Sequence, residues 1–294
     1  MNNEMKVCGF TFVRNAIKYD YPVVESIKSI LPVCDEVLVL VGNSDDDTLA
    51  LIESIDSPKI KIAHSIWDDS LRKNGAVLAV ETNKAFDLIS DDYKWAFYIQ
   101  ADEVVHEKYH KTIRKSMQKY QNEQEIDGLL FNYKHFYGTY NYIGDSRDWY
   151  RREIRIIKND KNIRSYRDAQ GFRKNNNKLK VAHIPAYIFH YGWVKTPATM
   201  KKKIENFHKL WHSDNWIEKN LNPEDLFDFS AINSLKLYDG TAPKVMQARI
   251  KKHNMNFNIG KKKFPLKDRI LYWYEKTTGH RPFEYKNYVI TKVY

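Results

Sequence analysis

Residues 95–103 read Trp-Ala-Phe-Tyr-Ile-Gln-Ala-Asp-Glu, an apolar strand that runs without a break into two carboxylates. Three other apolar runs precede it, and each is followed by a segment with helical spacing. Unbroken runs of Val, Leu and Ile are typical of parallel strands that are covered on both faces. This alternation predicts an open parallel α/β sheet, with strands at Val7–Val13, Glu36–Gly42, Lys59–Ile66 and Trp95–Ile99 and helices at Tyr21–Leu31, Thr48–Ser54 and Asn74–Ile89.

The second half of the chain has a different pattern. Further strand-like segments are separated by loops rich in aromatic and charged residues, at Asp127–His135, Glu153–Ile157 and Lys180–Trp193. From Pro197 onward the pattern is one of helices and loops rich in Trp, His and Lys. No repeat or low-complexity linker divides the two halves. We therefore predict one core over residues 1–195, built on a single open mixed sheet flanked by helices, and a helical extension over residues 196–294.

The composition narrows the class of partner. The chain has 294 residues, a net charge of +11 and 14% aromatic residues. A basic balance favours an anionic partner, which can be a nucleic acid, a lipid surface or a phosphorylated substrate. The lysine runs at Lys201–Lys203 and Lys261–Lys263 indicate either a solvated face or contact with an anionic membrane.

Two further features favour a reduced, cytoplasmic location. The two cysteines, Cys8 and Cys34, do not suggest a disulfide framework. Residues 1–6 contain no apolar signal segment, and no apolar run approaches the ~20 residues that span a bilayer. We expect a cytoplasmic protein whose membrane contact, where it has one, is peripheral and at the inner face.

Polar side chains follow each predicted parallel strand, at the edge where open α/β sheets bind their ligands. We expect these side chains to converge on one crevice that holds a nucleotide. Each has a plainer explanation as well, since turns and helix caps use the same residue types. The polar candidates are Arg14 and Asn15 at the end of the first strand, Asn43 and Asp45 after the second, Asp69 and Arg72 after the third, and Gln100 after the fourth. The neighbouring apolar residues Phe12 and Ala101 are included in the predicted nucleotide site.

The fourth strand also delivers Asp102 and Glu103 to this edge. Carboxylate oxygens are the ligands of hard divalent cations such as Mg²⁺. A cation held there would neutralise a diphosphate and help it to leave. A strand that simply ends in surface acids is the alternative explanation.

Four short motifs give the chain a resemblance to family 2 glycosyltransferases of the GT-A fold: FVRN at residues 12–15, PVVES at 22–26, DEV at 35–37 and YIQADE at 98–103. The resemblance covers roughly residues 1–110 and lies in the order and spacing of the motifs. It implies a donor-binding half at 1–110 and an acceptor half at 111–195. It also implies a nucleotide-sugar donor, a bound Mn²⁺ or Mg²⁺, and inversion at the anomeric carbon.

The family signature is Asp-x-Asp, and this chain has Gln100 at its first position. Gln can form hydrogen bonds but brings no charge. The resemblance therefore assigns the metal chiefly to Asp102, with Glu103 as a helper. A late His often completes the metal shell in the family, and the segment Phe189–Trp193 resembles that element, which makes His190 the second ligand. A satisfied core histidine is the alternative for His190.

An inverting transfer needs a general base within hydrogen-bond reach of the acceptor hydroxyl. We expect the base between the metal motif and the late His, and Asp168 in the segment RDAQGF fits best. Its rivals are Asp145, Asp148 and Glu153. Sugar rings lie well on aromatic faces, so Trp193 and Trp211 are candidates for the acceptor site.

The sequence thus predicts a metal-dependent inverting transferase that moves a sugar, from a UDP-sugar by preference, to a glycan or lipid-linked acceptor in surface polysaccharide synthesis. A basic nucleic-acid-binding protein is one alternative, but no helix-turn-helix, zinc or RNA-recognition signature is present. An inactive transferase-like binding module is another, with Gln100 as its best argument. A nucleotidyltransferase would share the sheet and the acids, but no Gly-rich phosphate loop follows the first strand.

Overall fold

A computed structural model describes residues 5–71, 74–220, 226–232, 234–253 and 264–294. Its strands are β1 Val7–Val13, β2 Glu36–Val41, β3 Ile60–His64, β4 Trp95–Tyr98, β5 Glu103–Val105, β6 Gly128–Tyr137, β7 Thr139–Gly144, β8 Arg152–Lys158, β9 Ile163–Tyr166, β10 Gly171–Lys174, β11 Asn177–Trp193, β12 Leu235–Leu237 and β13 Tyr288–Val293. Its α-helices are α1 Val23–Ile30, α2 Thr48–Glu53, α3 Ala76–Asp87, α4 His110–Tyr120, α5 Pro197–Lys209, α6 Asp214–Asn220, α7 Gln247–Lys252 and α8 Leu266–Thr278.

The strands form one mixed sheet in the order β3-β2-β1-β4-β8-β6-β11-β10-β9. The first four are parallel, and all of them except the edge strand β3 are almost fully buried. Burial on both faces is why their sequences are unbroken apolar runs. Their parallel direction brings the ends of β1 and β4 to the same edge of the sheet, as the sequence predicted.

The second half of the sheet contains the long strand β11, which lies parallel to β6. The short strand β5 pairs antiparallel with β11, and this pairing sets Glu103 opposite His190. Since β5 follows directly on the turn after β4, the end of the parallel half is joined to the end of β11. That junction is where the candidate active site forms.

A buried ion pair stabilises this junction. Arg155 on β8 donates to both carboxylate oxygens of Glu103 at 2.8 Å, and both side chains are fully buried. The hydroxyl of Tyr133 on β6 donates to Glu103 Oε1 at 2.7 Å. Arg155 also donates to the carbonyl of Gln170, in the turn between β9 and β10, at 3.0 Å. The Glu103–Arg155 pair therefore joins four segments of the sheet.

The predicted fold class, an open mixed sheet flanked by helices, is confirmed. The extension contains α5 to α8, and its two strands return to the core: β12 pairs with β7 and β13 with β11. The division at residue 195 and the donor and acceptor halves stay predictions. The sequence did not indicate α4 or the β9–β10 hairpin.

Cys8 and Cys34 are buried and unpaired. No helix within the described ranges has both the length and the apolar character needed to cross a membrane.

We predict that Arg155→Met lowers the free energy of unfolding by about 3–5 kcal/mol, because it leaves the Glu103 carboxylate buried without its partner. Urea unfolding followed by circular dichroism measures the change. Arg164→Met is the matched control, since Arg164 pairs with Asp87 on the surface, where both side chains are about half exposed, and its loss should cost under ~1 kcal/mol. Equal losses in the two variants would contradict this account of the junction.

Candidate active site

A cavity of about 940 Å³ opens where β1 and β4 end. It brings together most of the residues that the sequence singled out, from all three parts of the predicted site. The predicted residues that line it are Phe12, Arg14, Asn15, Asp45, Asp69, Gln100, Ala101, Asp102, Asp168, His190 and Trp193.

Three predicted residues are not among its lining residues. Asn43 is exposed and contacts two lining residues: its Oδ1 accepts from the Trp67 backbone at 3.0 Å and its carbonyl accepts from Arg14 Nε at 3.2 Å. Trp211 lines an adjacent cavity of about 330 Å³, which shares Asp168 with the first. Arg72 lies outside the described residues, as does the run Lys261–Lys263.

The donor side of the cavity is held by polar contacts between strand ends. Asn15 adopts a left-handed backbone with φ of 57°, and its Oδ1 accepts from the Asp45 backbone at 2.9 Å. Arg14 pairs with Asp69 at 2.6 Å and lies 5.5 Å from the ring of Trp67. Asp45 pairs with Lys18, whose hydrogen bond lowers the pKa of the Asp45 carboxyl. These residues tie the loops of β1, β2 and β3 together around an aromatic wall.

Gln100 has a structural contact that the sequence did not suggest. Its Nε2 lies 3.3 Å from the Tyr98 hydroxyl and 3.4 Å from the Ala169 carbonyl. It therefore joins the end of β4 to the β9–β10 turn that carries Asp168. Gln serves here as a hydrogen-bond donor, which an Asp could not be when ionised.

Asp102 lies at the centre of the site and is only 8% exposed. Its Oδ2 accepts from Lys203 Nζ at 3.1 Å and lies 3.7 Å from His190 Nε2. Burial raises the pKa of a carboxyl, but Lys203 and His190 outweigh burial and hold the pKa of Asp102 well below its ordinary value. Asp102 is therefore a carboxylate at neutral pH.

The ring of His190 is oriented by a second histidine. His135 Nε2 lies 2.8 Å from the carbonyl of Tyr150, so that nitrogen carries a proton and donates. Burial and the nearby His190 lower the pKa of His135 well below its ordinary value, so His135 is neutral and its Nδ1 is an acceptor. His190 Nδ1, at 3.1 Å, must then be the donor. This leaves His190 Nε2 directed at Asp102.

Two lysines that the sequence did not mark as site residues, Lys203 and Lys195, lie close enough to Asp102 to influence its carboxylate. Lys203 Nζ donates to the Gly192 carbonyl at 2.9 Å as well as to Asp102. Lys195 is 1% exposed and donates to the Asp20 carbonyl at 2.7 Å. Burial and the charge of Lys203 lower the pKa of Lys195 to about 7. The signal that marks Lys203 is its helical spacing on α5 with other residues that line the cavity, Met200, Ile204 and Phe207.

Gly192 allows the close approach of these groups. A Cβ at this position would lie 2.6 Å from Asp102 Oδ2 and 2.6 Å from His190 Nε2. Any side chain here would force the carboxylate and the imidazole apart. The close packing of the site therefore explains why a glycine stands at position 192.

The predicted metal ligands Asp102 and His190 do lie together, but the set is small. Glu103, the predicted helper, is wrong for that role, because the ion pair with Arg155 buries it away from the cavity. Within the described residues no group of three or more His, Cys, Asp or Glu side chains could hold a metal ion. An ammonium already contacts the carboxylate on which a metal would depend. The residues present thus fit a divalent ion poorly in this arrangement.

The four candidate bases have different surroundings. Asp168 lines the cavity, and its carboxylate has no hydrogen bond or ion pair with the described residues. It sits in a turn between Arg167 and Ala169, which both have positive φ, a strained backbone that clusters at functional sites. Asp148 also lines the cavity and accepts from Ser146 at 2.9 Å. Asp145 is buried and paired with Lys276 on α8, away from the cavity lining.

Comparisons with known proteins found likenesses among solved structures alone. No family model and no curated protein matches the chain. Among solved structures, S. aureus TarS matches 69% of the chain and 39% of its own length, with 16% identity and a TM-score of 0.39. TarS 1–349 in complex with UDP matches 69% and 64%, with 15% identity and a TM-score of 0.38. Glucosyl-3-phosphoglycerate synthase from Mycobacterium tuberculosis, in complex with Mn²⁺, UDP and phosphoglyceric acid, matches 45% and 43%, with 15% identity and a TM-score of 0.30.

The chain thus spans less than two thirds of the length of these proteins. At such identities and TM-scores a likeness does not establish an activity.

Glu153, the fourth candidate base, gives a prediction about stability. It is buried beside the smaller cavity, its Oε2 has no hydrogen bond with the described residues, and burial raises the pKa of its carboxyl to about 8. In the unfolded chain the Glu153 carboxyl ionises near pH 4.5, its ordinary pKa. In the folded state it keeps its proton up to about pH 8. The unfolded state therefore loses this proton first, and the free energy of unfolding falls as pH rises from about 4.5 to 8. The full effect is at most on the order of 5 kcal/mol.

We therefore expect Glu153→Gln to be more stable relative to the wild type at pH 8 than at pH 5. Urea unfolding at the two pH values measures the difference. Glu218→Gln on α6, where the side chain is exposed, is the control and should show the same pH dependence as the wild type. An identical pH dependence in Glu153→Gln would show that Glu153 ionises normally in the fold.

Proposed function

We propose that the chain is an inverting glycosyltransferase that takes a sugar from a nucleotide-sugar, a UDP-sugar by preference, and passes it to a glycan or lipid-linked saccharide of a surface polysaccharide. The observation that carries the proposal is the single cavity in which the ends of β1 and β4 meet the Asp102–His190 pair and a lysine. That arrangement combines a nucleotide-sized space with charge suited to a diphosphate.

The cavity volume supports this ligand class. About 940 Å³ lies at the upper end of the range for small-molecule sites, about 300–1,000 Å³, and so has room for a nucleotide-sugar and part of an acceptor. Phe12 and Trp67, with ring centroids 5.6 Å apart, offer an aromatic wall for a base. Lys203, next to Asp102, offers a cation for the diphosphate.

The acceptor side is proposed to lie towards Asp168 and Trp193. Trp193 stacks with Tyr137, with ring centroids 5.9 Å apart, and its face lines the cavity. In the reaction an acceptor oxygen forms a bond to the anomeric carbon as the bond from that carbon to the diphosphate oxygen breaks. The bonding pair leaves with the nucleoside diphosphate, and Asp168 takes the acceptor proton.

The sequence also predicts Mn²⁺ or Mg²⁺ at Asp102 and His190, and this stays a prediction. Such an ion would neutralise the diphosphate. It would have two side chains as ligands and would have to displace Lys203 Nζ from the carboxylate.

A nucleic-acid-binding protein is the alternative from another class, because of the net charge of +11. It gives no role to the buried Asp102 carboxylate in the lining of the cavity. The inactive-module alternative rested on Gln100. The contacts of Gln100 with Tyr98 and Ala169 explain why a Gln stands at this position without any reference to catalysis.

We expect calorimetry to show that the wild type binds one of UDP, GDP and CDP, with UDP as the expected ligand. Asp168→Asn should bind it equally well but release nucleotide from the nucleotide-sugar roughly 10²–10³-fold more slowly, since a general base contributes on that scale. Asp148→Asn is the control from the same cavity and should retain turnover. Failure of the wild type to bind any of the three nucleotides would contradict the proposal. Loss of turnover in Asp148→Asn alone would make Asp148 the general base in place of Asp168.

We also propose that α8 provides the peripheral membrane contact. None of its residues is buried, and Leu266, Ile270 and Trp273, at helical spacing, are all more than half exposed. Its opposite side is held to the core by polar contacts, including Glu275 with Arg147 at 2.9 Å. An apolar helix face beside basic residues suits the interface of an anionic bilayer.

On this basis the full chain should sediment with vesicles that contain phosphatidylserine and less with neutral phosphatidylcholine vesicles. Trp273→Glu should weaken the binding at least about tenfold, because it places a charge in the apolar face. Leu88→Glu, at an exposed leucine elsewhere on the surface, is the control and should bind as the wild type. A Trp273→Glu variant that still binds vesicles normally would remove α8 from this role.

A further inference from the structure

The carboxylate at the centre of the site already has a cation. Lys203 Nζ lies 3.1 Å from Asp102 Oδ2 and 2.9 Å from the Gly192 carbonyl. An ammonium has three N–H donors, and these two contacts use two of them. The third has no acceptor among the described residues, and Lys203 lines the cavity. Its geometry therefore suits donation to an anionic ligand.

The position of the ammonium is set by the fold rather than by the carboxylate alone. Lys203 stands on α5, whose first turn is capped by Thr196 and packed through the buried Met200. Its Nζ lies 5.3 Å from the centre of the Tyr21 ring, and Lys195 Nζ lies 4.8 Å from the same ring centre. Backbone carbonyl, carboxylate and aromatic ring thus orient one charge towards the cavity.

A divalent ion at Asp102 would share this space with the Lys203 ammonium. Two positive charges a few ångströms apart repel each other, and the repulsion is stronger in a partly buried site than in water. Two side-chain ligands offer little to offset that cost, since Mg²⁺-like ions are bound through carboxylates together with substrate phosphates. An ammonium that is covalently part of the chain has no such disadvantage.

We infer that Lys203, held in place by Asp102 and Gly192, supplies the positive charge for the departing diphosphate, so that the transfer needs no divalent metal ion. The inference rests on the proposed glycosyltransferase function. Lys203 Nζ donates to a diphosphate oxygen, and this hydrogen bond strengthens as the bond from the anomeric carbon breaks and the bonding pair moves onto the leaving group. Asp102 then acts as a positioning residue for Lys203 rather than as a metal ligand.

The test measures UDP binding by calorimetry and UDP release from a UDP-sugar, each in excess EDTA and in Mn²⁺. We expect the wild type to bind and turn over in EDTA at no less than about half of its level in Mn²⁺. Lys203→Met should lose roughly 10²–10³-fold in turnover, the scale for removal of one charge-stabilising donor, and should bind UDP more weakly. Lys202→Met, on the same helix but with an exposed side chain outside the cavity lining, is the matched control and should behave as the wild type.

A second variant guards against misfolding of Lys203→Met. Lys203→Cys should be equally inactive, and alkylation of its thiol with bromoethylamine restores an ammonium at nearly the original position. The natural cysteines Cys8 and Cys34 are buried, and the same treatment of the wild type controls for them. Return of EDTA-resistant turnover after alkylation supports the inference. No return of turnover, with normal thermal unfolding, contradicts it.

The outcomes also separate the inference from the proposed function. UDP binding and turnover that vanish in EDTA and return with Mn²⁺, in both the wild type and Lys203→Met, would overturn the inference and leave the transferase in place. No nucleotide binding under either condition would overturn both.

Discussion

The site depends on a buried charge, the Glu103 carboxylate between Arg155 and Tyr133. A buried ion pair is tolerated only with close geometry and further hydrogen bonds, and here Gln100 supplies one more from its backbone, at 3.2 Å from Glu103 Oε2. Leaving any of these partners out would leave a charge or a polar group unsatisfied. The end of β4, the strands β6 and β8 and the β9–β10 turn therefore have to be in place together.

This constraint divides the two neighbouring acids. Glu103 faces the interior, where its charge is neutralised by Arg155, and Asp102 faces the cavity, where its charge meets Lys203. Asp102 lies in the turn directly before β5, and Glu103 is the first residue of that strand. Fixing Glu103 in the interior therefore limits where the neighbouring Asp102 can lie. The same constraint reaches the acceptor side, because Arg155 also binds the carbonyl of Gln170, two residues after Asp168. A structural ion pair thus sets the distance between the two sides of the site.

Most of the parallel half of the fold was predictable from the sequence because β1, β2 and β4 are covered on both faces and are nearly unbroken apolar runs. The carboxyl-end rule then placed Arg14, Gln100 and Asp102 on one cavity without any tertiary information. The β9–β10 hairpin was not predicted, because its strands are short and mostly polar. The predicted role of Glu103 as a metal helper is wrong because the sequence does not show its partner. A carboxylate that pairs with a buried Arg and one that binds a metal have the same local sequence, and Arg155 is 52 positions away.

The residues missed in the site share one property: each acts through a contact that is remote in sequence. His135 orients His190 across the β6–β11 pairing, 55 positions apart, and Lys203 reaches Asp102 from 101 positions away.

The link between β11 and α5 gives these contacts a common origin. His190, Gly192, Trp193 and Lys195 end β11 or follow it directly, and α5 starts two residues after Lys195. One continuous segment therefore supplies the imidazole beside Asp102, the aromatic face of the proposed acceptor side and the lysine of the leaving-group side. Gly192 has no Cβ, which lets His190 approach Asp102, and its carbonyl accepts a hydrogen bond from Lys203. The positions of the histidine and of the lysine therefore depend on the same residue. A cation from the chain is thus positioned by the element that positions the rest of the site.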